Sequence, residues 1–195
     1  TEAGLVWMVE PDYVKNPLYR GLVIRKNSDD LSDWIARAAE MYRPLRARIT
    51  GNPPIIRFQS GAFIRTGHLK DETAYEKYQG HEYQKILLEE LTQIPNQERY
   101  LRLIASCRTT VPELKEQVFN TANPGGPGHG WVKKRFVDVA TNKTFFETGR
   151  VAGKTVRKSR IFIPSRVEDT PQLLKNNPGY ILFLDSLPED MRRAW

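Results

Sequence analysis

Tyr83 to Glu90 reads YQKILLEE and Glu116 to Asn123 reads EQVFNTAN, and these two stretches decide the fold. Each is an apolar run of strand length that ends in polar residues. In Ile86 to Glu90, three aliphatic side chains make a strand for the interior of a sheet. Two acids follow at its carboxyl end, where ligands sit in open α/β sheets. A nucleotide hydrolase has a use for this arrangement: one acid holds Mg2+, usually through water, and the next polarises the water that attacks the γ-phosphate. A buried strand running into an acidic helix cap would give the same five residues without chemistry. The second run weighs against that plain alternative. Asn120, Thr121 and Asn123 again place small polar groups at a strand end, ahead of the glycine-rich loop PGGPGHG (Pro124 to Gly130). Alone, Asn-Pro-Gly-Gly is a strong turn signal with no function required. Two such strand ends in consecutive units carry more weight than either.

Working outward, YRGLVIRK (Tyr19 to Lys26) is a continuous apolar run, the pattern of a strand buried on both faces. Ser28 with Asp29 and Asp30 predicts a helix start, an N-cap oxygen followed by acids that complement the helix dipole. Leu31, Trp34, Ile35, Ala38, Ala39 and Tyr42 recur at helical spacing, so that helix buries one face and stops before Pro44. Ile55 to Gly67 predicts a hairpin around Gln59-Ser60-Gly61. Asp71 to Gln79 is polar, helix-capable and ended by Gly80, and a further helix is expected from Asn96 to about Cys107. Thr1 to Val9 is apolar and helix-capable. Strands separated by helices predict an α/β fold with a largely parallel sheet flanked by helices. After Lys133 the pattern weakens to a basic, β-leaning region up to Pro164. Small helices follow near Pro171 to Asn176 and Gly179 to Leu187.

The 195 residues are 39% hydrophobic and 27% charged, an ordinary globular composition with room for a sizeable core. No stretch approaches the ~18 consecutive apolar residues of a membrane span. Cys107 is the single cysteine, which excludes an internal disulfide. With His68, His81 and His129 scattered, it also excludes a zinc cage, and it fits a reducing compartment. No activating partner for Cys107 is evident. The net charge of +7 is local: Lys133 to Arg166 holds ten basic residues and two acids, Asp138 and Glu147. Lys133, Lys134 and Arg135 fit either a DNA-backbone contact or one solvated helix face. Trp34 and Phe58 read as core.

A phosphate cradle is what these residues lack. GRVAGKT (Gly149 to Thr155) has three residues between its glycines where a P-loop has four, and no helical pattern follows it, so it reads as a decoy.

Four stretches together carry a family likeness. YRGLVIRKNSDDL, YQGHEYQKILLEELTQIP, TANPGGPGHGWVKKRF and IFIPSRVEDTPQLL, the last followed by Gly179-Tyr180, resemble the ATPase domain of the tailed-bacteriophage terminase large subunit, a DNA-packaging motor. The resemblance runs through nearly the whole chain. It implies an additional-strand P-loop ATPase over residues 1–138, lacking most of its P-loop, and a small basic β/α extension over 139–195 leading to a linker. It further implies ATP and Mg2+ as cofactors. Double-stranded DNA, the portal or prohead and a terminase small subunit are the implied partners, with a ring oligomer in the cytoplasm of the bacterial host. By the same resemblance Thr1 is the last P-loop residue and binds Mg2+ with Glu89, while Glu90 activates or orients water. Thr121 and Asn123 fall on the motif that couples hydrolysis to DNA movement. Such proteins also carry a nuclease, which the resemblance matches to none of these residues.

Two departures stand out. Glu89 occupies a position that the family usually fills with Asp, and Gln79 stands where many relatives have an arginine before the glycine. A trans-acting arginine therefore has only candidates: Arg65, Arg99 and Arg108. Arg25, after its strand, is placed either to meet phosphate or a neighbouring subunit or to serve as a solvated cap. Two other classes stay open: a non-catalytic basic nucleic-acid-binding α/β module, and a fragment of another P-loop translocase or helicase.

Overall fold

In the computed structural model, which describes residues 2–188, the apolar runs pair in parallel. Strand β1 (Arg20–Arg25) lies between β4 (Phe63–His68) and β5 (Lys85–Leu88), and β5 pairs on its other side with β6 (Gln117–Asn120). Strands β2 (Arg48–Thr50) and β3 (Ile55–Arg57) extend the sheet antiparallel beyond β4. The order is β2-β3-β4-β1-β5-β6, a largely parallel sheet in a mixed α/β unit, as the alternation of patterns predicts. The Gln59-Ser60-Gly61 turn joins β3 to β4 as expected. Strand β2 has only three residues, two of them polar, and lies at the sheet edge, so it lacks the apolar run that reveals β1 and β5.

A parallel sheet must be covered by helices. Helix α1 (Glu2–Met8), the short α2 (Pro11–Val14) and α3 (Ser32–Met41) supply Leu5, Met8, Tyr13, Val14, Trp34 and Ala38 to one core with Tyr19, Val23, Tyr42, Ile64 and Leu87. Phe58 joins it, so both aromatics read as core are core. Helix α4 (Gln97–Ile104) begins close to its expected start and ends before Cys107; Asn96 caps it, its side chain accepting a hydrogen bond from the Arg99 amide.

Helix α1 runs back along β5. A Cβ on Gly4 would lie 2.8 Å from a Leu87 methyl, while the Trp7 carbonyl meets the Lys85 ammonium at the start of β5. The amino end of α1 therefore points toward the carboxyl edge of the sheet. Its last carbonyls have no continuing turn to accept. Buried side chains donate to them instead: Tyr42 Oη to Leu5 O at 2.7 Å, Lys85 Nζ to Trp7 O at 2.7 Å, and Tyr19 Oη to Met8 O at 2.9 Å. Lys85 is fully buried, paired with Glu10 at 2.8 Å and set against the rings of Trp7 and Tyr13. Its cationic head at a helix carboxyl end also complements the dipole.

Two helix expectations change. Ser28 makes no side-chain cap; a 3₁₀ turn over Asp29–Leu31 comes first and α3 starts at Ser32, whose hydroxyl donates to Asp29 O at 2.9 Å. Asp71 to Gln79 condenses to a 3₁₀ helix, Ala74–Tyr78, in which Tyr75 and Tyr78 are both buried. Eclipsed i, i+3 side chains suit that winding. Tyr78 Oη donates to His68 O and accepts from the His68 amide, and burial pushes its pKa up to about 12.

Residues from Asn123 onward form a second unit. It holds α5 (His129–Val132), a π-helical stretch Lys133–Val137 and α6 (Asp138–Ala140). The two-stranded antiparallel ribbon β7 (Phe145–Val151) and β8 (Lys154–Arg160) follows, then α7 (Pro171–Asn176) and α8 (Gly179–Ser186). The decoy motif folds as the tip of this ribbon: Gly149 lies in β7, Gly153 in the turn, and Lys154 and Thr155 in β8.

Tyr42→Phe should lower unfolding free energy by about 1–3 kcal/mol in chemical denaturation, since the Leu5 carbonyl loses its buried donor. Burial raises the phenol pKa of Tyr19 and Tyr42 above the ordinary value. Their folded values exceed the unfolded one of about 10, so this stabilisation is complete below pH ~10 and lost as pH climbs through the folded values. Base titration should therefore show the tyrosinate absorbance of Tyr19 and Tyr42, read by difference from the Tyr19→Phe and Tyr42→Phe variants, appearing together with unfolding and not ahead of it.

Candidate functional site at the carboxyl edge of the sheet

Register brings the polar strand ends together. Ile24 lies opposite Leu88, and Leu88 opposite Asn120, so Arg25, Glu89 and Thr121 follow one another across the edge. The Glu89 amide donates to Ile24 O at 3.0 Å, continuing the ladder by one bond. Arg25 then grips Glu89 through Nε at 3.0 Å and Nη2 at 2.8 Å, both to Oε2, while Nη1 donates to Asp30 O at 2.7 Å. The Glu89 side chain is 0% exposed and that of Arg25 19%. A buried carboxylate needs such a partner, because removal from water costs several kcal/mol per ion, roughly, even after relaxation.

Glu90 adopts a left-handed conformation, φ 59° and ψ 48°. A non-glycine residue there is strained by about 1–2 kcal/mol. Three hydrogen bonds to Thr121 and its surroundings hold it: the Glu90 amide donates to Thr121 Oγ1 at 3.2 Å, the Leu91 amide to Thr121 O at 2.8 Å, and the Thr121 amide to Leu88 O at 2.9 Å. The kink turns the chain out of the sheet and brings Glu90 to a cleft that Arg25, Lys26, Asn27, Asp30 and Gln93 also line. Two cations, two acids and two amides thus face one concavity, suited to a phosphate-bearing ligand that needs both charge compensation and a water-directing carboxylate.

Arg25, Glu89, Glu90 and Thr121 are therefore brought together. Asn123 begins the second unit, and Thr1 lies outside the described residues. Arg108 is not at this edge: its amide donates to Tyr83 O, at the opposite, amino end of β5. Arg65 reaches the Tyr83 hydroxyl, and Arg99 is buried, donating to Leu69 O at 3.3 Å. Lys133 pairs with Asp138 at 2.5 Å, Lys134 is exposed, and Arg135 is half-buried with its guanidinium 5.6 Å from the Phe136 ring centre. Sequence reasoning missed Lys26, Asn27, Asp30 and Gln93 as cleft residues. The signal was present for the first three, since they follow a strand end directly.

Fold and edge together define a mixed α/β domain with a charged cleft at the carboxyl ends of parallel strands. No family model matches the chain, and no curated protein does. Among solved structures the chain is similar to the large terminase of a thermophilic bacteriophage, at 21% identity and a TM-score of 0.49, over 62% of this chain and 30% of that one. A second structure of that terminase, in complex with ADP, aligns at 21% identity and a TM-score of 0.48, over 62% of this chain and 29% of the other. The chain thus spans under a third of those proteins. No helix among the described residues is long and apolar enough to cross a membrane.

Arg25→Ala should cost up to about 3–5 kcal/mol, measured by denaturation, because it removes the guanidinium that pairs with the buried Glu89 carboxylate. The double variant Arg25→Met with Glu89→Leu should recover most of that loss. If the single variant is no less stable than wild type, the pair does not hold this edge.

Proposed function

We propose that the chain is part of the ATP-hydrolysing motor domain of a viral terminase large subunit, which drives double-stranded DNA into proheads. The observation that carries this reading is the meeting of Arg25, Glu89, Glu90 and Thr121 at the ends of three neighbouring parallel strands. The motif resemblance along the sequence supports it independently of that geometry.

In this reading ATP lies at the carboxyl edge with its phosphates toward the Arg25 and Lys26 cleft. Glu90 accepts a hydrogen bond from the attacking water and directs its lone pair at the γ-phosphate. Its aim is fixed because the Thr121 hydroxyl holds its backbone amide. Any shift of Glu90 on loss of the γ-phosphate would pull on Thr121 and so on the segment leading to Asn123. That is a physical route from chemistry to the second unit. Glu89 sets the position of Arg25, and Thr1 is read from the motif resemblance alone as the end of a phosphate-binding loop.

Mg2+ fits this edge as a weakly held ion. It binds through one or two carboxylates plus phosphate oxygens and retained waters rather than a full protein cage. Among the described residues no group of three or more His, Cys, Asp or Glu side chains gathers to form a cage. Glu89 with Thr1 would hold the ion, which requires the buried Glu89 carboxylate to exchange Arg25 for it, and the ion would offset charge on the phosphates. DNA, the portal or prohead, a small subunit, a ring assembly and the host cytoplasm all belong to the same proposal.

The test is DNA-stimulated ATP turnover by the full-length gene product. Glu90→Gln should lower kcat by about 100-fold or more while leaving KM within a few-fold, as expected for loss of a general base. Unchanged turnover overturns the role of Glu90. Absence of nucleotide binding, with DNA affinity intact, would favour the non-catalytic basic module.

A further inference from the structure

The ribbon β7–β8 forms a sheet of its own and carries its charge unevenly. Across Phe145–Arg160 there are five basic residues and one acid, Glu147. Antiparallel pairing assigns them to faces, since directly opposed residues share a side and neighbours alternate. Thr148 lies opposite Arg157, Arg150 opposite Thr155 and Phe146 opposite Ser159. That face therefore presents two arginines, three hydroxyls and one aromatic ring, and no acid. The other face pairs Glu147 with Lys158, Val151 with Lys154 and Phe145 with Arg160, and there Arg160 turns back to bind Glu147.

All residues between Phe146 and Ser159 are exposed, including Phe146 at 47%. A two-stranded ribbon with both faces in water is marginally stable by itself. Its tip is built for a tight reversal nonetheless: Ala152 and Gly153 take φ of 49° and 77°, the two positive values that a two-residue hairpin turn with the strands' own twist demands. Arg157 lies over the Phe146 ring at 3.9 Å, and Arg160 over Phe145 at 4.8 Å. These ring faces are covered by guanidinium groups, so they are poor platforms for an unpaired base. Arg160 commits its guanidinium to Glu147 on the other face, whereas Arg157 donates to no carboxylate among the described residues.

We infer that this ribbon is an arm that enters the major groove of duplex DNA, with Arg150 and Arg157, seconded by Thr148, Thr155 and Ser159, donating to phosphate oxygens. The shape agrees: a two-stranded ribbon fits the roughly 12 Å major groove of B-form DNA, whereas the major groove of A-form RNA is too narrow. Arginine and hydroxyl donors are the usual phosphate contacts, and an acid-free face avoids repulsion. The inference does not rest on the nucleotide-site reading, because it uses neither ATP nor the acidic edge.

Two charge-matched double variants of the full chain test it by fluorescence anisotropy on a labelled duplex. Arg150→Gln with Arg157→Gln should weaken binding about tenfold or more and reduce the salt slope by about two, one for each phosphate that gives up its arginine. Lys154→Gln with Lys158→Gln, on the other face, should weaken it far less. Equal losses from both pairs, or no loss from either, overturn the assignment to that face. Tighter binding to single strands or to duplex RNA than to duplex DNA overturns the assignment of the groove. Turnover measured without DNA does not depend on the ribbon, so its loss in Glu90→Gln and retention in the first variant keep the nucleotide reading separate from the ribbon result.

Discussion

The core of the first unit depends on how helix α1 is held against the sheet, whose carboxyl edge carries the charged cleft. Seven residues are too few to hold a helix by its own hydrogen bonds, since nucleation alone is unfavourable in water. The sheet does the holding, through donors that arrive from Tyr19 before β1, Tyr42 after α3 and Lys85 in β5. Each reaches a carbonyl that the helix end leaves open. The ammonium of Lys85 survives burial because Glu10, a peptide oxygen and two rings surround it, yet desolvation still lowers its pKa. The arrangement fixes α1 in direction as well as place, with its amino end toward the carboxyl edge of the sheet.

That edge is built on a different logic. At the amino side polar groups serve packing, whereas at the carboxyl side they are drawn into a charged cleft. Arg25 lies at the join of the two roles. It neutralises Glu89 and ties down the Asp30 carbonyl while lining the cleft. Thr121 acts in the same double way, closing the β5–β6 ladder with its backbone and supporting Glu90 with its hydroxyl. Backbone and side-chain hydrogen bonds thus tie the ends of β5 and β6 to each other.

The central strands were legible because burial on both faces writes itself as an unbroken apolar run, as in Leu22 to Ile24 and Ile86 to Leu88. The hairpin before β4 was legible from its turn residues, and a helix starting near Asn96 was legible too, though the cap that Asn96 makes was not read. The edge strand β2 was not, since three residues with polar ends carry no period. Ser28 looked like a cap on composition alone, but its backbone is helical, and an N-cap oxygen works only from an extended residue. The acidic pair could be read as a strand end; the Arg25–Glu89 contact could not. Those two residues are 64 apart, and only the β1–β5 register makes them neighbours.

The left-handed backbone at Glu90 sets stability against chemistry at a single position. Glycine or asparagine would occupy that conformation with less strain, so a screen that rewards heat resistance alone should keep returning those residues there. Each would relax the turn and delete the carboxylate that faces the cleft. Persistence of an acid at position 90 among functional variants would then measure how strongly use, rather than folding, governs this turn.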